Sequence, residues 1–176
     1  MNNFRLVQRK LESFWNLEAT SRELLCQSLL LLPLVALSLR HAGVKRTQTA
    51  LLWLIPASAW SDKKQSDKEQ SDKKQTAKRQ AMAARTATTA RMVSIAATYY
   101  QPWANCLKKS LVLWSLLRQQ GIYSEVKIGV RRDEGKFEAH AWVEYEGKVL
   151  NDLRDVGDRF AVFERSLTEA IVSHHN

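Results

Sequence analysis

From Leu24 to Leu39 the chain is strongly apolar, carries Gln27 and Ser28, and is interrupted by Pro33. The Thr20-Ser21 pair before it can cap a helix, with Glu23 in the first turn, so the pattern predicts a helix starting near Ser21. A spanning helix needs about 20 mostly apolar residues, and this run is shorter and broken, which favours burial against another part of the protein over membrane crossing. A second apolar run, Ala50–Trp60, is broken by Pro56 and predicts a helix of about two turns packed on the first.

Residues 61–75 read SDKKQ, SDKEQ, SDKKQ, with TAKRQ following as a decayed copy. A period of five matches neither a helix face nor a strand, and no apolar residue precedes Ala77, so the segment predicts an exposed connector or a solvated helix start. From Ala81 to Tyr100, Met82, Thr86, Thr89, Val93, Ala96 and Tyr100 recur at steps of four and three, the face of a helix that ends before Pro102. A further helix begins at Cys106, with Leu107, Leu111, Trp114, Leu116 and Leu117 apolar, Arg118 in the last turn and Gly121 as its stop.

The period then changes to two. Tyr123–Arg131 and Phe137–Tyr145 alternate on either side of a polar turn, and Glu146-Gly147 leads into Lys148–Asp152, giving a three-stranded antiparallel meander. Phe160–Phe163 predicts a short strand and Ser166–Val172 a short helix. The fold class is therefore α+β: a helical N-terminal region over 1–60, a low-complexity connector over 61–80, and a core over 81–176 in which a Cys-bearing helix precedes the meander.

Charge adds little to this picture. Residues 1–110 carry 18 basic and 7 acidic side chains and residues 111–176 carry 9 and 11, so the excess belongs to the first part. Solvated Lys and Arg on helix faces account for it, and no nucleic-acid partner is expected. Cys26 and Cys106 have no CxxC spacing, which disfavours a thiolate zinc site and a disulfide scaffold. His41, His174 and His175 complete no ligand set, so neither a metal nor a cofactor is expected. The N-terminus lacks an apolar run with a small-residue cleavage site, and the cytoplasm is the expected location.

Three residues carry candidate chemistry: Cys106 at a helix start, His140 in the middle strand and Asp152 at the end of the next. Unpaired amides and the dipole at a helix N-terminus favour a thiolate and can receive an oxyanion. An imidazole can take the thiol proton and return it to a leaving amine, and a carboxylate can hold the other ring nitrogen. Each residue alone has a plainer reading, as a buried small residue, an ordinary strand histidine and a turn cap. Together, in this order, they resemble transglutaminase-like enzymes, with a close variant in papain-like ones.

The runs PWANCLKKSLVLWSLLRQQGI (102–122), VKIGV (126–130), FEAHAWVEYEG (137–147) and VLND (149–152) resemble the transglutaminase-like leader peptidases of lasso-peptide biosynthesis, the protease half of the split maturation protein B. The resemblance covers roughly residues 82–163 and implies a Cys-His-Asp triad at Cys106, His140 and Asp152. Lys109 stands where this family leads us to expect arginine, retaining charge without the planar fork. The implied reaction is removal of a leader segment from a ribosomally made precursor peptide. The implied partners are that precursor, a small leader-recognition protein and an ATP-dependent cyclase resembling asparagine synthetase. Two alternatives remain open on the residues alone: an acyl transferase using the same triad, and a non-catalytic basic adaptor docking on a membrane or a partner protein.

Overall fold

The computed structural model describes residues 15–54, 72–101, 104–133 and 135–163, with side chains from 76 onward in the segment that starts at 72. The elements are α1 (Ala19–Trp53), α2 (Asp72–Tyr99), α3 (Cys106–Gln119), β1 (Glu125–Asp133), β2 (Lys136–Tyr145), β3 (Lys148–Val149), α4 (Val156–Arg159) and β4 (Ala161–Val162). A helical N-terminal part is followed by an antiparallel sheet core, an α+β architecture with strand order β3-β2-β1-β4.

Helix α1 departs from the expected pattern at both its start and its break. It begins at Ala19 with Glu18 as N-cap, and Ser21 lies inside it as a buried residue. Pro33 does not interrupt it. A proline in a helix leaves the carbonyl four residues earlier without its donor, and here that carbonyl, of Leu29, accepts a hydrogen bond of 2.7 Å from the Tyr100 hydroxyl. The break comes instead at Gly43 (φ 75°, ψ 178°), a conformation that a residue without Cβ adopts at little cost. The Thr47 hydroxyl donates to the Gly43 carbonyl at 2.8 Å and stands 2.8 Å from the Ser38 hydroxyl, stitching the two segments together. By length and composition α1 could cross a membrane. One face buries Leu25, Leu32, Val35 and Leu51, while Leu30, Leu34 and Leu37 are exposed.

Helix α2 starts earlier than the apolar face requires, inside the third SDKKQ unit. Residues 76–81 are exposed, so this first part is a solvated extension built from the good helix formers Lys, Gln, Ala and Arg. The first two repeat units, Pro56 and the segment Ser166–Val172 lie outside the described residues. Further along α2, Thr86, Thr89, Val93 and Ala96 are buried and Met82 and Tyr100 half-buried, the face that the four-and-three spacing predicts.

Helix α3 is more enclosed than its apolar stripe implies, for every residue from Ser110 to Leu117 is buried. It packs on α1 and α2 and also on β1 and β2. Fully burying a Leu-sized side chain contributes about 1.5–3 kcal/mol, and Leu111, Leu113, Leu116 and Leu117 are all fully enclosed. Gly121 (φ 74°) ends the helix as predicted, with the Ile122 amide returning to the Leu117 carbonyl at 2.9 Å.

In the sheet, β1 and β2 pair over their whole length with Gly129 opposite His140, and β4 adds to β1 through Gly129↔Val162 and Val130↔Ala161. The third strand stops at Val149, so Asp152 stands in a bend beyond it rather than at a strand end. Val126 and Val143 join the helical core, whereas Trp142, Val156 and Phe160 form a second, smaller cluster.

Tyr100→Phe removes the hydroxyl that donates to the Leu29 carbonyl, and is expected to destabilise the fold by about 1–2 kcal/mol, read as a lower urea midpoint with an unchanged slope.

Candidate active site

Asn105 and Cys106 define the start of α3. The Asn105 side chain accepts the Lys108 amide at 3.0 Å, and its carbonyl accepts the Lys109 amide at 3.1 Å. The capping leaves the amides of Cys106 and Leu107, at the positive end of the helix, as the donors that an incoming oxyanion can use. The Cys106 side chain is half-buried, and the thiol is free, as is that of the exposed Cys26.

His140 and Asp152 are joined directly. His140 Nε2 lies 2.5 Å from Asp152 Oδ2, with the two side chains 25% and 21% exposed. An ionised carboxylate only accepts, so Nε2 carries the shared proton and Nδ1 remains as the ring's acceptor. Partial burial works against ionisation of Asp152. The bond from His140, the Leu153 amide at 2.8 Å and the charges of His140 and Arg159 outweigh it, and the carboxyl is held below the usual range. Arg159 Nη2 stands 3.5 Å from Asp152 Oδ1.

The imidazole is also fixed by its faces. It stacks on Phe160 at 5.1 Å between centroids and lies 6.2 Å from Trp142. Trp142 donates its indole N–H to Glu144 at 2.7 Å, which sets its ring. This stack depends on Gly129: a Cβ there would stand 2.8 Å from Phe160 Cβ and 3.0 Å from Trp142 Cη2. The glycine of the Ile-Gly-Val run is thus required by close approach and not by an unusual φ.

Cys106 is related to the pair by packing. Ser110, one turn further along α3 and about 6 Å along its axis, donates to the carbonyl of Ala141, the residue after His140, at 3.0 Å. Asn151, the residue before Asp152, donates to Ser110 Oγ at 3.0 Å and accepts from the Val143 amide at 2.8 Å. The position of the thiol relative to the imidazole is therefore set through one helical turn and one peptide unit, with no direct hydrogen bond between the two. Sequence reasoning missed Ser110, Asn151, Phe160 and Gly129 as parts of this region. The signals were a hydroxyl four residues after the cysteine and an amide side chain next to the aspartate.

A thiol at a helix start, packed on an antiparallel sheet that bears a His–Asp pair, is the layout of proteins that carry out acyl transfer through sulfur. The family profile of the transglutaminase-like superfamily matches residues 50–165, most of the chain, and the chain belongs to that superfamily, whose members are generally cysteine peptidases or acyltransferases. Neither the curated proteins nor the solved structures give a match.

Two outcomes are expected from this geometry. Gly129→Ala forces Phe160 and Trp142 apart and should destabilise by roughly 1–3 kcal/mol in urea denaturation, more than alanine at the open Gly157. For Asp152, whose folded pKa is depressed, the stabilisation from the carboxylate is present above the unfolded value of about 3.9 and is lost as pH falls through the folded value. Melting wild type and Asp152→Asn side by side should therefore show a gap at neutral pH that closes on acidification.

Proposed function

We propose that the protein is a cysteine peptidase that removes the leader segment from a ribosomally made lasso-peptide precursor, with Cys106, His140 and Asp152 as its triad. The observation that carries the reading is the 2.5 Å pair between His140 on β2 and Asp152 in the bend beyond β3, with the Cys106 helix packed against β2. The sequence runs around these three residues, which resemble the leader peptidases of lasso-peptide biosynthesis, supply the substrate class.

In the reaction, Cys106 sulfur attacks the scissile carbonyl and forms a tetrahedral adduct whose oxyanion is received by the first-turn amides of α3. The imidazole, having taken the thiol proton at Nδ1, delivers it to the departing amine, the C–N bond breaks, and a thioester remains. Water then attacks the thioester with His140 as base, and the leader leaves with a free carboxylate. Asp152 keeps Nε2 protonated and steadies the imidazolium that forms between these steps. The protein works in the cytoplasm with a separate recognition protein that captures the leader and an ATP-dependent cyclase that receives the new amine. Recognition falls to a partner because capture by strand addition needs an exposed edge ahead of the helices, and the described part of residues 1–80 is helical.

The test is cleavage of the precursor, followed by mass spectrometry. Cys106→Ala is expected to abolish cleavage, Cys26→Ala to retain it, and Asp152→Asn to slow it by about 10²–10⁴-fold. Adding the recognition protein is expected to raise the rate. Equal activity of the two cysteine variants would overturn the assignment, and a product carrying an amine instead of water at the new terminus would make the protein an acyl transferase.

A further inference from the structure

The two short strands at the edge of the sheet leave a specific problem. Because β3 pairs with only Glu144 and Tyr145, β2 beyond that point has an edge with no partner strand among the described residues. The Leu150 amide still reaches the Val143 carbonyl at 2.9 Å, but the Val143 amide and the Ala141 carbonyl need other partners. Both are met by side chains: Asn151 takes the amide and Ser110 supplies the carbonyl, and Asn151 closes the circuit by donating to Ser110. Ser110 is fully buried, where an unpaired polar group is costly.

Each member of this circuit is tied to one member of the proposed triad. Ser110 lies one turn from Cys106 on the same helix face, Ala141 follows His140, and Asn151 precedes Asp152. Any slide of α3 along the edge of β2 breaks the Ser110 bond to Ala141 before it alters the apolar packing, since dispersion contacts tolerate a shift that a hydrogen bond does not. We infer that Ser110 and Asn151 are positioning residues which hold the Cys106 thiol in register with the His140–Asp152 pair, an inference that rests on the proposed triad. The hydrogen-bond circuit sets the geometry of the nucleophile as well as capping an open strand edge, and it does so without touching the reacting atoms.

The experiment uses iodoacetamide on the full-length protein at mildly acidic pH, where an ordinary thiol is largely protonated and slow. Mass spectrometry follows Cys106 and Cys26 in the same molecule, so the exposed Cys26 serves as the internal reference. In wild type, Cys106 is expected to react faster than Cys26 despite its burial, and His140→Ala is expected to remove that advantage. Ser110→Ala and Asn151→Ala should each lose about tenfold to a hundredfold of it, the scale of a displacement near 1 Å, while circular dichroism remains that of wild type. Ser115→Ala removes another buried hydroxyl from the same helix, one without a hydrogen-bond partner among the described residues, and should leave the advantage intact. If Ser110→Ala fails to fold, the half-buried Asn151 carries the test through Asn151→Ala and the isosteric Asn151→Asp, which keeps the acceptor for Val143. Folded Ser110 or Asn151 variants in which Cys106 keeps its full advantage overturn the positioning role. A wild-type protein with no advantage, or one that His140→Ala does not diminish, overturns the triad itself.

Discussion

Helix α3 is enclosed by α1 and α2 on one side and by β1 and β2 on the other, and its middle eight residues, Ser110 to Leu117, are buried. Such a helix is held by apolar burial along most of its length, and one of its buried hydroxyls, that of Ser110, ties it to the Ala141 carbonyl of β2. The first turn, with Cys106, is half-buried and so left able to meet another molecule. The placement of the thiol thus follows from the placement of the helix, and that is decided by the helical bundle and the sheet jointly.

The N-terminal helices contribute to the site in the same indirect way. Pro33 in α1 leaves the Leu29 carbonyl in need of a donor, and Tyr100 supplies it from the end of α2, a few residues before Cys106. A residue that would ordinarily break a helix becomes an attachment point for the segment that delivers the nucleophile. On the other side of the site, Gly129 lets Phe160 and Trp142 close over the imidazole, and Asp152, steadied by Arg159 and the Leu153 amide, holds its Nε2.

Much of this was legible before any coordinates. The apolar face of α2, the stop at Gly121, the two long extended segments and the short strand near Ala161 follow from local pattern, although β2 buries Ala141, Trp142 and Val143 in succession because both faces of the sheet are covered there. The candidate triad residues were legible too, since a cysteine at a helix start followed by a histidine and an aspartate on successive extended segments is a pattern within the sequence itself. Local rules misled at Pro33, where a distant group, the Tyr100 hydroxyl, takes up the freed carbonyl, and at Ser21, which lies inside the helix and not at its cap. The solvated start of α2 is the reverse case, in which helix propensity alone extends an element beyond its buried face.

The sequence by itself determined the class of architecture, the order of its elements and which side chains are available for chemistry, because these depend on residue type and on spacing along one element. The tertiary structure alone decided that His140 and Asp152 form a 2.5 Å pair, that Asn151 and Ser110 bind the edge of β2, and that a glycine must sit opposite the histidine. Those are relations between atoms far apart in the chain, whose separations are fixed only when apolar burial has brought helix and sheet together, and no local repeat encodes them.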